Sequence, residues 1–276
     1  SQRIELEVVV DGLGRTYDFR VEPVPRGVYA VGFDITPSKQ AEAALLENDR
    51  RKDEFLAMLS HELRNPLTPL RIALGVARIS TGDDDKRTRS FGIMERQLDQ
   101  LEQLVSELLD MSRITQGKIE LHKQRIEIAE IVEAALEATR PLITERAHAL
   151  EVRLANGKHY VDGDLMRLSQ ALTNLLTNAV KYTPEHGRIE VVVNPVLARQ
   201  IVELRVRDNG IGIAPEMLDR IFDIFVQVES GGPGGGLGIG LNLVRKLVEM
   251  HGGSVTAHSL GLDRGTEMVV ELPLAS

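Results

Sequence analysis

The stretch LSHELRNPLTPL, Leu59 to Leu70, has leucines at helical spacing, yet it contains Pro66, Pro69 and the pair His61-Glu62. With Leu59 and Leu63 turned to a core, His61 lies about 200° away around the helix and faces water. Asn65 shares that outward face one turn later, and Glu62 flanks the two. Proline has no N–H, so Pro66 leaves the carbonyl of Glu62 without its helix partner, and Pro69 does the same to Asn65. A bend just past the histidine is expected. A zinc motif His-Glu-x-x-His is excluded, because position 65 is Asn. Two readings stay open on these residues alone. One is a solvated histidine on a kinked bundle helix. The other is a nucleophile: a neutral imidazole whose free nitrogen attacks while Glu62 accepts the other N–H and fixes the tautomer. An unperturbed imidazole, with a pKa of ~6.5, is largely neutral at pH 7.

The pattern around this stretch predicts a helical hairpin. Leu56, Leu59, Leu63, Leu70 and Ala77 form one seam, flanked by Leu67 and Leu74. Thr81 to Asp85 is a turn. Phe91, Met94, Leu98, Leu101, Val105, Leu108 and Ser112 then alternate in steps of three and four, an a/d series. Two such helices cannot bury their seams alone, and pairing two hairpins into a four-helix bundle satisfies both. A homodimer is expected.

Ahead of the hairpin, residues 4–10, 15–22 and 27–35 read as strands separated by turn signals. Three strands leave an apolar face bare, so a piece of a larger sheet domain is expected. After Gly117 the texture becomes mixed. Strands fit at 124–128, 149–154, 188–194, 201–208, 254–259 and 267–272, and helices at 129–146, 164–181 and 239–250, the last stopped by His251-Gly252-Gly253.

Composition narrows the chemistry. The chain of 276 residues is 42% hydrophobic and 27% charged, enough to build a core over two modest domains. A net charge of −8 argues against a nucleic-acid surface. The absence of Cys excludes disulfides, thiolate metal sites and Cys nucleophiles. No apolar run approaches the ~20 residues of a membrane span. A soluble cytoplasmic fragment without membrane contact of its own is expected, with attachment to a membrane left to a longer protein.

Three clusters in the second half point to a nucleotide. NLLTNAVKY, Asn174 to Tyr182, puts Asn174 and Asn178 on one helical face, with Lys181 and Tyr182 at its end. DNGIGI, Asp208 to Ile213, closes an alternating strand. GGGLGIGL, Gly234 to Leu241, opens a helix, where backbone N–H groups and the dipole favour phosphate. Each alone has a bland reading: a polar helix face, a turn, a linker. A Walker loop fails, because Leu241-Asn242 follows Gly240, and a Rossmann fingerprint fails in its third glycine.

Taken together and in this order, the clusters resemble the N box and the two glycine boxes of the sensor histidine kinases. FDIF, Phe222 to Phe225, resembles their F box, Gly265-Thr266 their third glycine element, and SHELRNPL their H box. GFDITPSKQAEAAL resembles the tail of a PAS sensor domain. The resemblance implies an α+β chain: a dimeric helical-hairpin bundle followed by an α/β sandwich ATP-binding domain of the gyrase, chaperone and histidine kinase type. The implied domains are a PAS-like remnant at 1–36, a linker helix with the dimerisation and phosphotransfer domain at 37–117, and the catalytic domain at 118–276.

The same resemblance implies the site. His61 is the phosphoacceptor, with Glu62 beside it. Asn65 orients water for dephosphorylating a partner, as in relatives with Glu-x-x-Asn. Asp208 accepts the adenine amino group near Thr266, while Gly210 and Gly212 keep the backbone close to the base. Tyr182 packs on the nucleotide and Lys181 meets phosphate. Asn178, with Asn174, holds Mg²⁺, whose oxygen preference suits carboxamides. Gly235, Gly236, Leu237, Gly238 and Gly240 form the hinge of an ATP lid. ATP and Mg²⁺ are the implied cofactors, and a response-regulator receiver domain the implied partner. An ATPase clamp of the same fold is disfavoured, because Asn174 stands where such hydrolases place a water-activating Glu. A non-catalytic sensing module is disfavoured because the motifs are present.

Overall fold

The computed structural model describes residues 2–10, 13–25, 27–80, 83–115, 119–224, 226 and 238–275. The chain divides into two compact units, Ser1–His61 and Glu62–Ser276.

The first unit opens with an antiparallel sheet of β1 (Gln2–Val10), β2 (Leu13–Val24) and β3 (Gly27–Asp34), in that order. Tyr17 pairs with Leu6 on one side and Asp34 on the other. Phe19 lies against Gly32, where an added Cβ would come within 2.6 Å of its ring. Tyr29 and Phe33, on one face of β3, stay exposed, as does Val28 on the other. Asp34 accepts the Thr36 N–H at 2.9 Å, a side-chain cap for the helix that follows. Thr36 Oγ1 in turn accepts the Thr16 N–H at 2.8 Å, tying the helix start to β2.

Helix α1 (Thr36–Ile79) contains both Pro66 and Pro69 and stays α-helical on either side of them. Helix α2 (Asp84–Thr115) returns after a short turn, in which Asp83 caps Lys86 N at 3.0 Å. Burial splits the predicted seams. Leu59, Leu63, Leu70 and Ala77 are half-buried, as are Met94, Leu101 and Leu108. Leu104, outside the predicted seam, is buried, and Leu67, Leu74, Phe91, Leu98 and Val105 are exposed. The a-type positions of α2 therefore make a second apolar stripe that the single chain leaves uncovered.

The remainder is an α/β sandwich. Its sheet has the order β5 (Ala149–Leu154), β7 (Arg188–Val196), β8 (Ile201–Asp208), β10 (Thr266–Pro273), β9 (Ser254–His258). β5 and β7 are parallel and the other pairs antiparallel. Helices α3 (Ile128–Glu145), α4 (Leu165–Tyr182) and α5 (Gly240–Met250) bury their apolar stripes against one face. That core joins Ile131, Val132, Leu172, Leu176, Leu243 and Leu247 to Ile189, Val191, Leu204, Val206 and Val270. Strand alternation sends Glu190, Arg205, Arg207 and Glu267 to the opposite face, where Arg207 meets Glu267 at 2.6 Å and Glu190 at 3.6 Å. A two-stranded ribbon pairs β4 (Gln124–Glu127) with β6 (Tyr160–Gly163). β6 was not expected from the sequence; its four residues, ending in Gly, are defined by pairing rather than by period.

Candidate active site

Asn174 and Asn178 are half-buried on α4, one turn apart. The side-chain nitrogen of Asn174 is buried without a hydrogen-bond partner among the described residues. It points at the start of α5, where a Cβ on Gly240 would stand 3.9 Å from it. Lys181 Nζ lies 4.9 Å over the ring of Tyr182.

The Tyr182 carbonyl accepts the Ile211 N–H at 3.2 Å, which joins the end of α4 to the glycine turn after β8. Gly210 has no room for a side chain there, since a Cβ would collide with that same carbonyl oxygen. Gly212 adopts φ +68, in the left-handed region, with the Gly261 carbonyl against it. Asp208 Oδ1 accepts Gly210 N at 2.8 Å and Thr266 N at 3.3 Å. Burial raises the Asp208 pKa above the ordinary carboxylate value, and the two backbone N–H groups oppose that rise. The structure thus brings Asp208, Gly210, Gly212, Tyr182 and Thr266 together.

Several supports were not legible in the motifs. Ser259 Oγ accepts Ile213 N at 3.0 Å and donates to Gly265 O at 2.7 Å, pinning the glycine turn to the β9–β10 loop. Phe222 is buried; Asn242 Nδ2 donates to its carbonyl at 2.8 Å, and the Arg245 guanidinium lies 4.5 Å from its ring. Asn242 follows the glycine cluster, but nothing in its spacing names Phe222 as partner. Gly238 (φ +65) and Gly240 stand at the start of α5. Phe225, Gly235, Gly236 and Leu237 lie outside the described residues.

On the helical hairpin, His61 and Asn65 are both exposed, as the shared face requires, whereas Glu62 is only 7% exposed. Its Oε1 takes a long hydrogen bond from Asn65 Nδ2 at 3.5 Å.

A buried histidine lies behind the start of α4. His251 Nε2 accepts the Asp164 N–H at 2.9 Å, and its Nδ1 meets Leu247 O at 2.7 Å, so Nδ1 carries the proton. Burial lowers its pKa, with Lys123 adding to that, while the Leu247 carbonyl and Asp164 oppose it. Asp164 caps α4 by accepting Arg167 N at 3.2 Å and also takes His122 N at 3.1 Å.

Comparison with known proteins places this geometry. Residues 51–117 match the His Kinase A (phospho-acceptor) domain. Residues 163–276 match the histidine kinase-, DNA gyrase B- and HSP90-like ATPase. Sensor histidine kinase WalK of Bacillus subtilis is 29% identical over 90% of this chain and 39% of its own length. Autoinducer 2 sensor kinase/phosphatase LuxQ of Vibrio cholerae is 33% identical over 97% of this chain and 33% of its own. The chain therefore spans well under half the length of these relatives. Histidine kinase AdeS of Acinetobacter baumannii shares the fold, with a TM-score of 0.60 over 78% of this chain and 98% of the other, at 24% identity. Full-length ShkA in complex with AMPPNP has a TM-score of 0.60 at 31% identity, over 81% of this chain and 46% of the other. Histidine kinase ThkA, in complex with the response regulator TrrA, covers 99% of this chain and 79% of its own at a TM-score of 0.62 and 21% identity. With both domains present in order and an ATP-binding sandwich behind a helical hairpin, the chain belongs to the sensor histidine kinases.

Proposed function

We propose that the chain transfers the γ-phosphoryl group of ATP to His61 and then to an aspartate of a response-regulator receiver domain. The observation that supports this most is the convergence of Asp208, Gly210, Tyr182 and Thr266 at one end of the sandwich, beside the asparagine face of α4. Asp208 Oδ2 is the acceptor for the adenine amino group, and the close backbone of Gly210 and Gly212 lets the base lie against the turn. The unpartnered amide of Asn174 fits a phosphate oxygen. The carboxamide oxygens of Asn178 and Asn174 fit Mg²⁺, which takes oxygen ligands and keeps several waters. Held there, Mg²⁺ would supply positive charge against the phosphates. Lys181 adds a cation.

His61 faces outward from α1 and supplies a ring nitrogen for in-line attack. The transition state is loose, so positioning and charge neutralisation do most of the work. Glu62 orients the imidazole by accepting its other N–H on its second carboxylate oxygen, Oε1 being the one that takes the long bond from Asn65. The Asn65 carboxamide orients a water against a docked phosphoaspartate, which gives the chain a phosphatase activity as well.

The uncovered stripe Phe91, Leu98 and Val105, with Leu67 and Leu74, is the homodimer interface of a four-helix bundle. The three-stranded sheet is the end of a PAS-like sensor domain, 1–36, joined through Asp34 and Thr36 to the linker helix that opens the 37–117 segment, with the catalytic domain at 118–276. Among the described residues no helix is long and apolar enough to cross a membrane.

Incubation with radiolabelled ATP, followed by acid or alkali, tests the reaction. Label that is lost in acid, kept in base and absent from His61→Gln is expected. His61→Gln protein that labels at the wild-type level, with unchanged ATP binding, rejects His61 as acceptor.

A further inference from the structure

The dipeptide Asn-Gly occurs twice in the chain, at Asn156-Gly157 and at Asn209-Gly210. It is the least hindered setting for a reaction of the chain with itself, because the glycine carries no Cβ beside its nitrogen. That backbone nitrogen attacks the asparagine Cγ. The new N–Cγ bond closes a five-membered succinimide, and the bond from Cγ to the side-chain nitrogen breaks. Ammonia leaves with the proton given up by the glycine nitrogen. Water then opens the ring at either carbonyl, which leaves aspartate or isoaspartate. Water is the sole co-reactant.

Both asparagines are exposed, so accessibility does not separate them. Hydrogen bonding does. At the second site Arg188 N donates to Asn209 Oδ1 at 2.7 Å, and the Gly210 nitrogen donates to Asp208 Oδ1 at 2.8 Å. Asn209 N is tied to Arg188 O as well, at 3.3 Å. Neither the electrophile nor the nucleophile can turn to the other without breaking these bonds. At the first site, among the described residues, neither the Asn156 side chain nor the Gly157 N–H has a hydrogen-bond partner. The two residues form a bend between β5 and β6, with Gly157 at φ +92.

The first site also has a group that promotes the attack. His159 Nε2 lies 3.2 Å from the Asn156 carbonyl oxygen. A carbonyl only accepts, so this ring nitrogen carries the proton and donates. That carbonyl belongs to the peptide bond whose nitrogen is the nucleophile. When Gly157 N loses its proton, the charge spreads onto Asn156 O, and a donor there favours the charged form. The imidazole stands close over the turn, since a Cβ on Gly157 would come within 3.9 Å of Nε2.

We propose that Asn156-Gly157 is a site of spontaneous deamidation, promoted by His159, at which the β5–β6 turn becomes a mixture of aspartate and isoaspartate. The isoaspartyl form belongs to the substrate class of S-adenosylmethionine-dependent carboxyl methyltransferases. The site lies away from the nucleotide residues. β5 starts at Ala149, paired with Arg188, and the next residue of β7, Ile189, pairs with Asp208. Asn156 follows the other end of β5. The new carboxylate stands two residues from Lys158, whose Nζ pairs at 3.0 Å with Glu127, the N-cap residue of α3. The modification therefore marks the age of the molecule outside the ATP site.

The test incubates the intact chain at physiological temperature in mildly alkaline buffer, folded and, in parallel, in denaturing urea. Peptide mapping reads the mass gain of an amide that has become an acid. Radiolabelled methyl transfer from S-adenosylmethionine by an isoaspartyl carboxyl methyltransferase reads the isoaspartate. The folded chain is expected to convert at Asn156 and not at Asn209, whereas in urea both convert, because the bonds that hold Asn209 are gone. Asn156→Gln should abolish methyl acceptance by the folded chain. His159→Leu should slow conversion at Asn156 about fivefold, the effect of one ordinary hydrogen bond on the barrier. Asn209 reports on folding in each variant, since it converts only where the fold is lost. An intact Asn156 in the folded wild-type chain, after the urea sample has converted, overturns the site. Conversion of Asn209 at the same rate in that folded chain overturns it too. An unchanged rate in folded His159→Leu overturns the part given to the histidine.

Discussion

Asp208→Asn tests the adenine pocket through one atom. Asp208 Oδ1 is committed to the protein, taking Gly210 N at 2.8 Å and Thr266 N at 3.3 Å. Among the described residues Oδ2 takes no hydrogen bond, which leaves it for the ligand. In the asparagine variant the carbonyl oxygen keeps both backbone contacts, so the turn survives. The amide nitrogen then stands where Oδ2 was, and two donors face each other across the base. The loss has two parts: a charge-assisted hydrogen bond of about 1.5–3 kcal/mol, and a partly buried donor left unpaired at about 1–3 kcal/mol. Their sum corresponds to roughly 10²- to 10⁴-fold weaker ATP binding. Asp208 is only half-buried, so the lower end, about 100-fold, is expected. Inosine triphosphate supplies the control, because it presents a carbonyl oxygen where adenine has its amino group. Calorimetry with both nucleotides should show a large loss for ATP and a smaller loss, or a gain, for the inosine form. Wild-type ATP affinity in the variant removes Asp208 from the pocket. Equal losses for both nucleotides mean that the turn itself has collapsed, and the reasoning fails on that result too.

Other consequences follow from the same geometry. Asn65→Ala should keep most autophosphorylation and lose most phosphatase activity, measured as decay of a phosphorylated receiver domain; a proportional fall in both would make Asn65 a structural residue before Pro66. His251 has a folded pKa below its unfolded value of ~6.5, so its native neutral form binds fewer protons than the unfolded chain in mild acid. The stability it contributes is complete above about pH 6.5 and lost as pH falls below that, so the melting midpoint should drop on acidification, and much less in His251→Gln. Equal pH slopes in the two proteins would reject the linkage. Leu98→Glu places a charge in the uncovered stripe, where each buried leucine contributes about 1.5–3 kcal/mol; sedimentation should show the dimer shifted to monomer, and an unchanged dissociation constant would place the interface elsewhere.

Local pattern made much of the architecture legible. The strands 149–154 and 201–208 fall where alternation puts them, and α3, α4 and α5 begin and end within a residue or so of the expected bounds. Each of these elements declares itself through neighbours in sequence: period two, period three to four, a cap, a terminal glycine. The residues proposed for the nucleotide stand out for a related reason. Asn174 and Asn178 share a face by spacing alone, and the close approach at Gly210 leaves room only for glycine.

What the sequence by itself determined, then, is the order of elements and the spacing of the motif residues along them. Tertiary structure decided the pairings between distant residues. Nothing near Asp110 in sequence indicates that its two oxygens meet Arg167 and Gln170, nor does His251 announce its bond to Asp164 N. The four residues of β6 become a strand only because β4 lies beside them. Leu104 is buried while Phe91, Leu98 and Val105 of the same helix are not, because burial depends on what faces each side of a helix and periodicity marks only which sides are apolar. A hydrogen bond or a covered face needs two partners brought together in space, and for these groups the second partner lies tens of residues away.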